Sequence, residues 1–308
     1  MAVVPGLRVG HATDAVARTG CTVLLGPFRG ALHTAGHATG SRELDPLSAL
    51  HVVPRIDALL LTGGSAFGLA AAEGVVQWLE ERGIGYETGA ARVPIVPAAV
   101  IYDLAVGRSD RRPDAAMGRA ACDAASEAMP AEGAVGAGTG ATAGKVLGRE
   151  NASRGGAGVA AESHSGHSLL ALAVVNPVGD VLDAQGRVIA GARGPDGTFA
   201  GGAGVVRAAN PPGFGPAAPP VPRTNTTLAA IVTDAPLPRE ALAIVARMAV
   251  AALARRISPA FTPFDGDMIF ALSTASEAGA VTSPDVMAWG TVACAALESA
   301  IERAVTAR

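Results

Sequence analysis

The chain has 308 residues, of which 49% are hydrophobic, 17% charged and 4% aromatic, and its formal net charge is -3. This length allows one large domain or two, and the apolar share is ample for a core built mainly from Ala, Val, Leu and Ile. Because Lys and Arg are scattered and no apolar run reaches the roughly 18 residues of a membrane span, neither a nucleic acid nor a membrane is an expected partner.

The first half of the chain is predicted to contain short strands and two helices. Alternating apolar and polar residues between glycines indicate the first strands, and an unbroken apolar run before Gly63 and Gly64 indicates a buried strand. Ser65 is expected to cap the helix that follows, and Gly83 to end it. The predicted elements are strands at 6–14, 20–26 and 55–64, an irregular or edge strand at 93–104, and helices at 65–82 and 113–129.

The second half is predicted to be richer in strands. A glycine-rich run at 133–148 precedes three strands within 167–192, which are separated by turns at NPVGD and AQG. The Pro/Gly-rich segment 209–222 is expected to be an exposed loop or linker. Strands then follow at 227–235 and 267–274, and helices at 239–256 and 284–305. Because several strands run consecutively, the pattern favours sheets covered by helices in one compact unit.

Cysteine usage and the N-terminus bear on the cellular location. The three cysteines are odd in number and far apart, which favours a reducing compartment over a disulfide framework. The first 14 residues show no charged region followed by an apolar one, so no signal peptide is visible. We therefore expect a cytoplasmic protein.

Two glycine-rich motifs do not fit the sites that they suggest. GTGATAGKV suggests a phosphate-binding loop, but Thr139 occupies the first glycine position and Val146 stands where Ser or Thr must bind magnesium. TGGSAFG suggests a nucleophile elbow, but Phe67 replaces its last glycine. A helix cap is the preferred interpretation of Ser65.

No metal site is expected. The histidine pair in HSGH, and a second pair four residues apart, lack further ligands at a zinc-binding spacing. Asp265 and Asp267 flank a glycine, but they lack the additional oxygen ligands and the terminal Glu of a calcium loop. The two carboxyl groups form either a solvated turn or, if they are buried, a pair in which each perturbs the pKa of the other.

The stretch VPRTNTTLAAIVTDAPL, residues 221–237, allows two interpretations. Thr226 opens an apolar strand, where threonine is common, so the polar residues could simply precede the strand. Alternatively, the Thr hydroxyl attacks the preceding carbonyl, water hydrolyses the ester, and the freed amine then serves as a base for the hydroxyl. Such self-cleavage needs an oxyanion donor and acid–base groups nearby.

Seven stretches resemble the L-aminopeptidase/D-esterase and β-peptidyl aminopeptidase family, which includes the nylon-oligomer (6-aminohexanoate oligomer) hydrolases. They follow the order of the family along nearly the whole chain. They are GLRVGHATD (6–14), LTGGSAFGLAAAEGVVQWLEERGIG (61–85), VPIVPAAVIYDL (93–104), GAGTGATAGK (136–145), VVNPVGDV (174–181), NTTLAAIVTDAPL (225–237) and DGDMIFALST (265–274).

The resemblance implies a self-processing enzyme in which the first residue of the small chain is the nucleophile. By this match the cleaved bond is Asn225–Thr226, which divides a single domain, 1–308, into an α chain of 1–225 and a β chain of 226–308. The implied fold is an α/β four-layer αββα sandwich similar to that of the N-terminal-nucleophile hydrolases. Aminopeptidase members typically have Gly-Ser at this junction. Asn-Thr is more similar to the nylon-oligomer hydrolase branch and certain pantetheine-processing relatives.

The resemblance also implies roles for five further residues. The amide N–H of Asn176 would stabilise the oxyanion, although an Asn before proline could simply form a turn. Asp265 and Asp267 would orient and polarise the amine and hydroxyl of the nucleophile. Lys145 would lower the pKa of that amine or stabilise an oxyanion, and Tyr102 would line the substrate pocket.

The implied reaction is amide hydrolysis through an acyl-enzyme on Thr226, without a metal or organic cofactor. The family implies an oligomer, commonly a tetramer of α/β units, and peptides or short amides as substrates. The sequence does not distinguish α-peptides, β-peptides, D-amino-acid esters or 6-aminohexanoate oligomers. The alternatives are an acyltransferase related to ornithine acetyltransferase and an unprocessed, non-catalytic homologue.

Overall fold

A computed structural model describes residues 3–208 and 225–307 of the chain, so the predicted loop at 209–222 lies outside the described residues. The helices are α1 (Ala71–Glu80), α2 (Ala115–Asp123), α3 (Gly202–Arg207), α4 (Arg239–Arg256) and α5 (Ser283–Thr306). The strands are β1 (Arg8–Asp14), β2 (Thr19–Thr34), β3 (Ser41–Arg42), β4 (Ile56–Thr62), β5 (Tyr86–Glu87), β6 (Arg92–Val93), β7 (Ala98–Val100), β8 (Thr142–Ala143), β9 (Ser153–Arg154), β10 (Gly156–His164), β11 (His167–Asn176), β12 (Asp180–Leu182), β13 (Val188–Ala190), β14 (Thr226–Thr233), β15 (Ile257–Ser258) and β16 (Met268–Ser273).

Nine of the described strands form one mixed sheet. Its order is β10-β11-β14-β16-β2-β4-β7-β3, and β1 pairs with the first part of β2. The long strand β2 connects the two halves, because it pairs with β4 over its first part and with β16 over its second. Its register shifts between Leu25 and Phe28, at a Gly-Pro pair. Strands β14 and β16 are parallel neighbours, which places their starting residues at the same end of the sheet.

The central strands bury both faces, which explains their nearly continuous apolar sequences. In the half that contains β11 and β14, alternate residues such as Ala171 and Ile231 pack with α4 and α5, which also contact each other. Their neighbours Leu172 and Val232 face a separate central core.

The other half of the sheet has the same organisation. Val23 of β2 and Leu60 of β4 pack with residues of α1 and α2, whereas Leu24 and Leu59 face the central core. A helix pair therefore covers the outer face of each half. Within the described part of the chain, no helix combines the length and apolarity needed to span a bilayer.

Most of the predicted elements are confirmed, including both C-terminal helices, but two predictions were wrong. Ser65 does not cap a helix with its side chain. It follows Gly64 in a left-handed turn (φ 54°) and opens a 3₁₀ segment that precedes α1. Helix α2 ends six residues before the predicted position 129, because Ser126 leaves the helix to form backbone hydrogen bonds with Val9.

Strand β10 was not predicted, because its sequence GAGVAAESH is rich in Gly and Ala, which favour strands weakly. These small residues instead allow α5 to approach the strand closely. A Cβ at Gly158 would lie 2.1 Å from the carbonyl oxygen of Ala300 and 2.3 Å from the amide nitrogen of Ala304.

We expect Gly158→Ala to destabilise the protein by about 1–3 kcal/mol, because the added methyl group must push α5 away from the sheet. Urea-induced unfolding measures this change. The matched control is Gly204→Ala on α3, where an added Cβ meets no atom within 4 Å, so its free energy of unfolding should stay equal or rise slightly. Equal stability of the Gly158→Ala variant and wild type would contradict the close helix–strand contact.

Candidate active site

Thr226 is the first residue of β14 and is buried at the meeting point of three strands. The register pairs it with Asn176, the last residue of β11, which ends where Pro177 has no N–H to continue the ladder. Asn225, the preceding residue, bridges to Asp265 just before β16. Only 2% of the surface of Asn225 and 4% of that of Thr226 is exposed. The sheet thus brings together residues that are distant in sequence.

The carbonyl group of Asn225 receives two hydrogen bonds. The Thr226 hydroxyl donates to its oxygen at 2.5 Å, and the backbone N–H of Gly266 donates to the same oxygen at 2.9 Å. The hydroxyl therefore lies against the carbonyl of its own preceding residue. The N–H of Gly266 is placed where it could stabilise negative charge on that oxygen.

Asp265 and Asp267 lie beside this junction as a buried pair. Asp265 accepts hydrogen bonds from the Thr262 hydroxyl (2.5 Å), the Thr262 N–H (3.2 Å) and the Val178 N–H (3.1 Å). Asp267 accepts from the N–H of Thr227 at 2.6 Å. The sequence did not establish whether this was a solvated turn, and the structure shows that it is not, because the two residues are 1% and 3% exposed.

Burial and proximity shift the protonation of the pair. Burial, assisted by the charge of Asp265, raises the pKa of Asp267 to about 8. Burial also raises the pKa of Asp265, against the opposing effects of its hydrogen bonds from Thr262 and Val178 and the charge of Lys145. At neutral pH the pair therefore holds a proton mainly on Asp267, whereas the carboxylate of Asp265 is stabilised by its three hydrogen bonds.

Lys145 brings a buried cation to the same site. Its Nζ donates to the backbone oxygen of Asn176 (2.9 Å), to the side-chain Oδ1 of Asn176 (2.9 Å) and to the backbone oxygen of Pro177 (3.0 Å). Burial lowers the pKa of Lys145, and the charge of Asp265 opposes this shift. Three acceptors need three N–H donors, which only the ammonium form provides, so the geometry describes a charged lysine.

The position of Lys145 depends on the glycine that precedes it. Gly144 has a positive φ of 75°, and a Cβ there would lie 2.1 Å from the backbone nitrogen of Ala192. The N–H groups of Gly144 and Lys145 bond to the carbonyl oxygens of Gly179 and Val178. The glycines of this run thus allow its backbone to approach the strand ends closely. This role differs from the phosphate binding that the motif suggested.

The side chain of Asn176 is held by its neighbours. Its Oδ1 accepts from Lys145 and from the N–H of Thr142 at 3.0 Å, which directs its Nδ2 toward the backbone carbonyl of Tyr102 at 3.3 Å. Tyr102 therefore touches the site through its backbone. Its ring lies under the guanidinium group of Arg149, 5.8 Å from the ring centroid.

The structure thus gathers the predicted residues into one site. Thr226, Asn225, Asn176, Lys145, Asp265 and Asp267 lie together, and Tyr102 lies at the edge. The hydrogen bond donated by the Thr226 hydroxyl goes to Asn225 in this structure, rather than to the carboxylates expected to polarise it. Sequence analysis missed Gly266 and Thr262. Thr262 and Asp265 are three residues apart, a spacing at which Thr and Asp often form local hydrogen bonds. This spacing could have identified the hydrogen bond between them.

The chain is similar to known proteins along nearly its whole length. A model of the family described as peptidase family S58 matches residues 2–308. The chain belongs to peptidase family S58. This membership confirms the resemblance found in the sequence and makes the protein a hydrolase.

Named relatives of this S58 chain agree with that class. An uncharacterized aminopeptidase of Mycobacterium tuberculosis (strain ATCC 25618 / H37Rv) is 41% identical over 99% of this chain and 91% of its own length. A 6-aminohexanoate-oligomer endohydrolase of Kocuria sp. (strain KY2) is 34% identical over 88% of this chain and 73% of its own length.

Solved structures support the fold of this S58 chain. An L-aminopeptidase D-Ala-esterase/amidase from Ochrobactrum anthropi, described as a variant of the Ntn hydrolase fold, gives a TM-score of 0.73 at 18% identity, covering 98% of this chain and 85% of that one. A β-aminopeptidase of Burkholderia sp. gives a TM-score of 0.71 at 22% identity with the same coverage. The fold is therefore the mixed α/β arrangement of these enzymes.

The shifted carboxyl group predicts how stability depends on pH. Because the pKa of Asp267 is about 8 in the folded chain and about 3.9 in an unfolded one, its protonated form favours folding. The stabilisation that protonated Asp267 gives to the folded chain is complete below about pH 4 and is lost as the pH rises through about 8. The side chain of Asp267→Asn cannot ionise. The free energy of unfolding of this variant should therefore fall less between about pH 4 and about pH 8.

Urea unfolding from pH 5 to pH 9 measures the effect. Both proteins should carry Thr226→Ala, so that any processing of the chain is the same in each. Parallel pH profiles of Thr226→Ala and Thr226→Ala/Asp267→Asn would contradict a raised pKa at Asp267.

Proposed function

We propose that the protein is a self-cleaving N-terminal-threonine amidohydrolase, which acts on peptides or short amides through an acyl-enzyme on Thr226. The main support is the junction itself. The Thr226 hydroxyl and the Gly266 N–H both bond to the carbonyl oxygen of Asn225, within a buried site that also holds Lys145.

In the proposed maturation, Thr226 Oγ attacks the carbonyl carbon of Asn225 and gives up its proton to a nearby base. The negative charge then develops on the oxygen that Gly266 N–H already contacts. Collapse breaks the C–N bond, and the nitrogen takes a proton and becomes the α-amine of Thr226. Water hydrolyses the remaining ester, which leaves a carboxylate on Asn225 and restores the hydroxyl.

In the proposed catalytic cycle, the new amine of Thr226 takes the proton of its own hydroxyl during attack on a substrate amide. The ammonium of Lys145 lowers the pKa of that amine, because two nearby positive charges repel. Asn176 lies across from Thr226 in the sheet, where its amide can stabilise the oxyanion, and Asp265 and Asp267 hold the segment around the nucleophile. The leaving amine departs, and water then releases the acyl group from Oγ.

The residues on both sides of Thr226 also favour a reactive junction. The Asn225 side-chain oxygen and the Thr227 hydroxyl are buried polar atoms that have no hydrogen-bond partner within the described residues. Each such atom costs about 1–3 kcal/mol. This cost is concentrated beside the bond proposed to break.

The substrate class follows from the relatives. They are named as aminopeptidases and as 6-aminohexanoate-oligomer endohydrolases, and both act on amide bonds. We therefore propose peptides or short amides as substrates. The peptidase family does not favour an acyltransferase or a non-catalytic homologue.

We further propose the four-layer αββα sandwich, cleaved into chains of 1–225 and 226–308. Two helix pairs on the outer faces and a separate central core support it.

We also propose a tetramer, for which the exposed Ile244 and Met287 (49% and 62%) offer apolar contact surface. Light scattering should give about four times the 30.5 kDa of one chain, and a monomeric mass would contradict it.

The central prediction concerns the Asn225–Thr226 bond. Purified wild type should give two bands on a denaturing gel, and N-terminal sequencing of the smaller should read Thr-Thr-Leu. Thr226→Ala should remain a single chain and lose amide hydrolysis by at least about 1,000-fold, because it has no hydroxyl. A processed or active Thr226→Ala variant would contradict the assignment.

The matched control is Thr227→Val. Its hydroxyl has no partner within the described residues, so the isosteric change should leave processing intact and the free energy of unfolding equal or higher. A smaller chain that begins at residue 227, or cleavage lost in Thr227→Val but retained in Thr226→Ala, would instead identify Thr227 as the nucleophile. Far-UV circular dichroism confirms that each variant is folded.

A further inference from the structure

A cleft beside the candidate active site is lined by three arginines. It has a volume of about 500 Å³, and its lining includes Arg18, Arg149 and Arg154, together with Thr142 and one acidic residue, Glu150. We call it the arginine cleft. Three guanidinium groups against one carboxylate give it a strong positive charge.

Among the residues that the structure describes, these guanidinium groups have no ion-pair partner. By contrast, Arg108 pairs with Asp110. Within residues 3–208 and 225–307, no ion pair and no side-chain hydrogen bond involves Arg18, Arg149 or Arg154. Their donors therefore remain available to an anion, and guanidinium groups fit carboxylates with paired hydrogen bonds.

The cleft adjoins the reacting residues. Thr142 lines it and donates its N–H to the side chain of Asn176 at 3.0 Å, and Asn176 is the cross-strand partner of Thr226. Arg149 also lies over Tyr102, whose carbonyl contacts Asn176. The charge of Arg149 reaches the site as well, because it contributes to lowering the pKa of Lys145.

We propose that the arginine cleft binds a carboxylate of the substrate, so that the enzyme prefers short amides that carry a free carboxylate near the cleaved bond. This inference rests on the proposed function and specifies its substrate class. A peptide extends about 3.5 Å per residue, so a carboxylate within a few residues of the cleaved amide can reach the neighbouring cleft.

The test compares matched pairs of di-, tri- and tetrapeptides with a free C-terminal carboxylate or a C-terminal carboxamide, and pairs with Asp/Asn or Glu/Gln side chains. In at least one pair, wild type should show about tenfold higher kcat/KM for the carboxylate, as for one charge-assisted hydrogen bond. This ratio should fall as salt is added, because exposed charges are screened.

Arg149→Gln and Arg154→Gln should each reduce that ratio at least about threefold. The control is Arg92→Gln, which removes an arginine paired with Glu87 on the separate β5–β6 hairpin and should keep the ratio of wild type. The gel pattern and melting temperature confirm folding and processing. If Arg149→Gln does not fold because its ring contact is lost, the exposed Arg154→Gln provides the test.

The outcomes separate the two proposals. Hydrolysis of both members of every pair at equal kcat/KM, or a carboxylate preference that persists in both variants, would overturn this inference and leave the proposed function intact. No hydrolysis of any pair by folded wild type would overturn both.

Discussion

Burial of three ionisable groups around one peptide bond is the constraint on which the site depends. Removing a charge from water costs several kcal/mol unless partners compensate it. Lys145 meets three oxygen acceptors, Asp265 meets three donors, and Asp267 keeps a proton because its pKa is about 8. The strand ends and the glycine-rich run have to converge to supply these partners. The same convergence places a backbone N–H on the carbonyl oxygen of Asn225.

Elements with a strong apolar pattern could be predicted from the sequence. Helix α4 was predicted with its observed bounds, and β4 and β16 were recognised from runs that are buried on both faces. Strand β10 could not be, because its glycines reflect the approach of a distant helix rather than a local preference. The turn at Ser65 depended on Gly64, whose left-handed conformation no periodicity indicates.

The site shows a similar division. The sequence suggested Thr226, Lys145, Asn176 and the two aspartates, but Asn176 also suited a turn and the aspartates suited a solvated loop. The register that pairs Asn176 with Thr226, and the bridge from Asn225 to Asp265, show that these residues lie together; their catalytic roles stay predictions. The role of Gly266 was beyond sequence analysis, because it involves a backbone N–H that every residue except proline has.

The burial of Asn225 has a consequence for the timing of activation. If the chain is cut as proposed, this residue becomes a terminus with a new carboxylate, at a position where 2% of its surface is exposed. There it would face Asp265 across a single backbone bridge, and like charges at short range in a poorly solvated site repel strongly. In the proposed enzyme the severed end would have to leave this buried position before substrate could enter, so scission and the opening of the site to substrate would be two separate events.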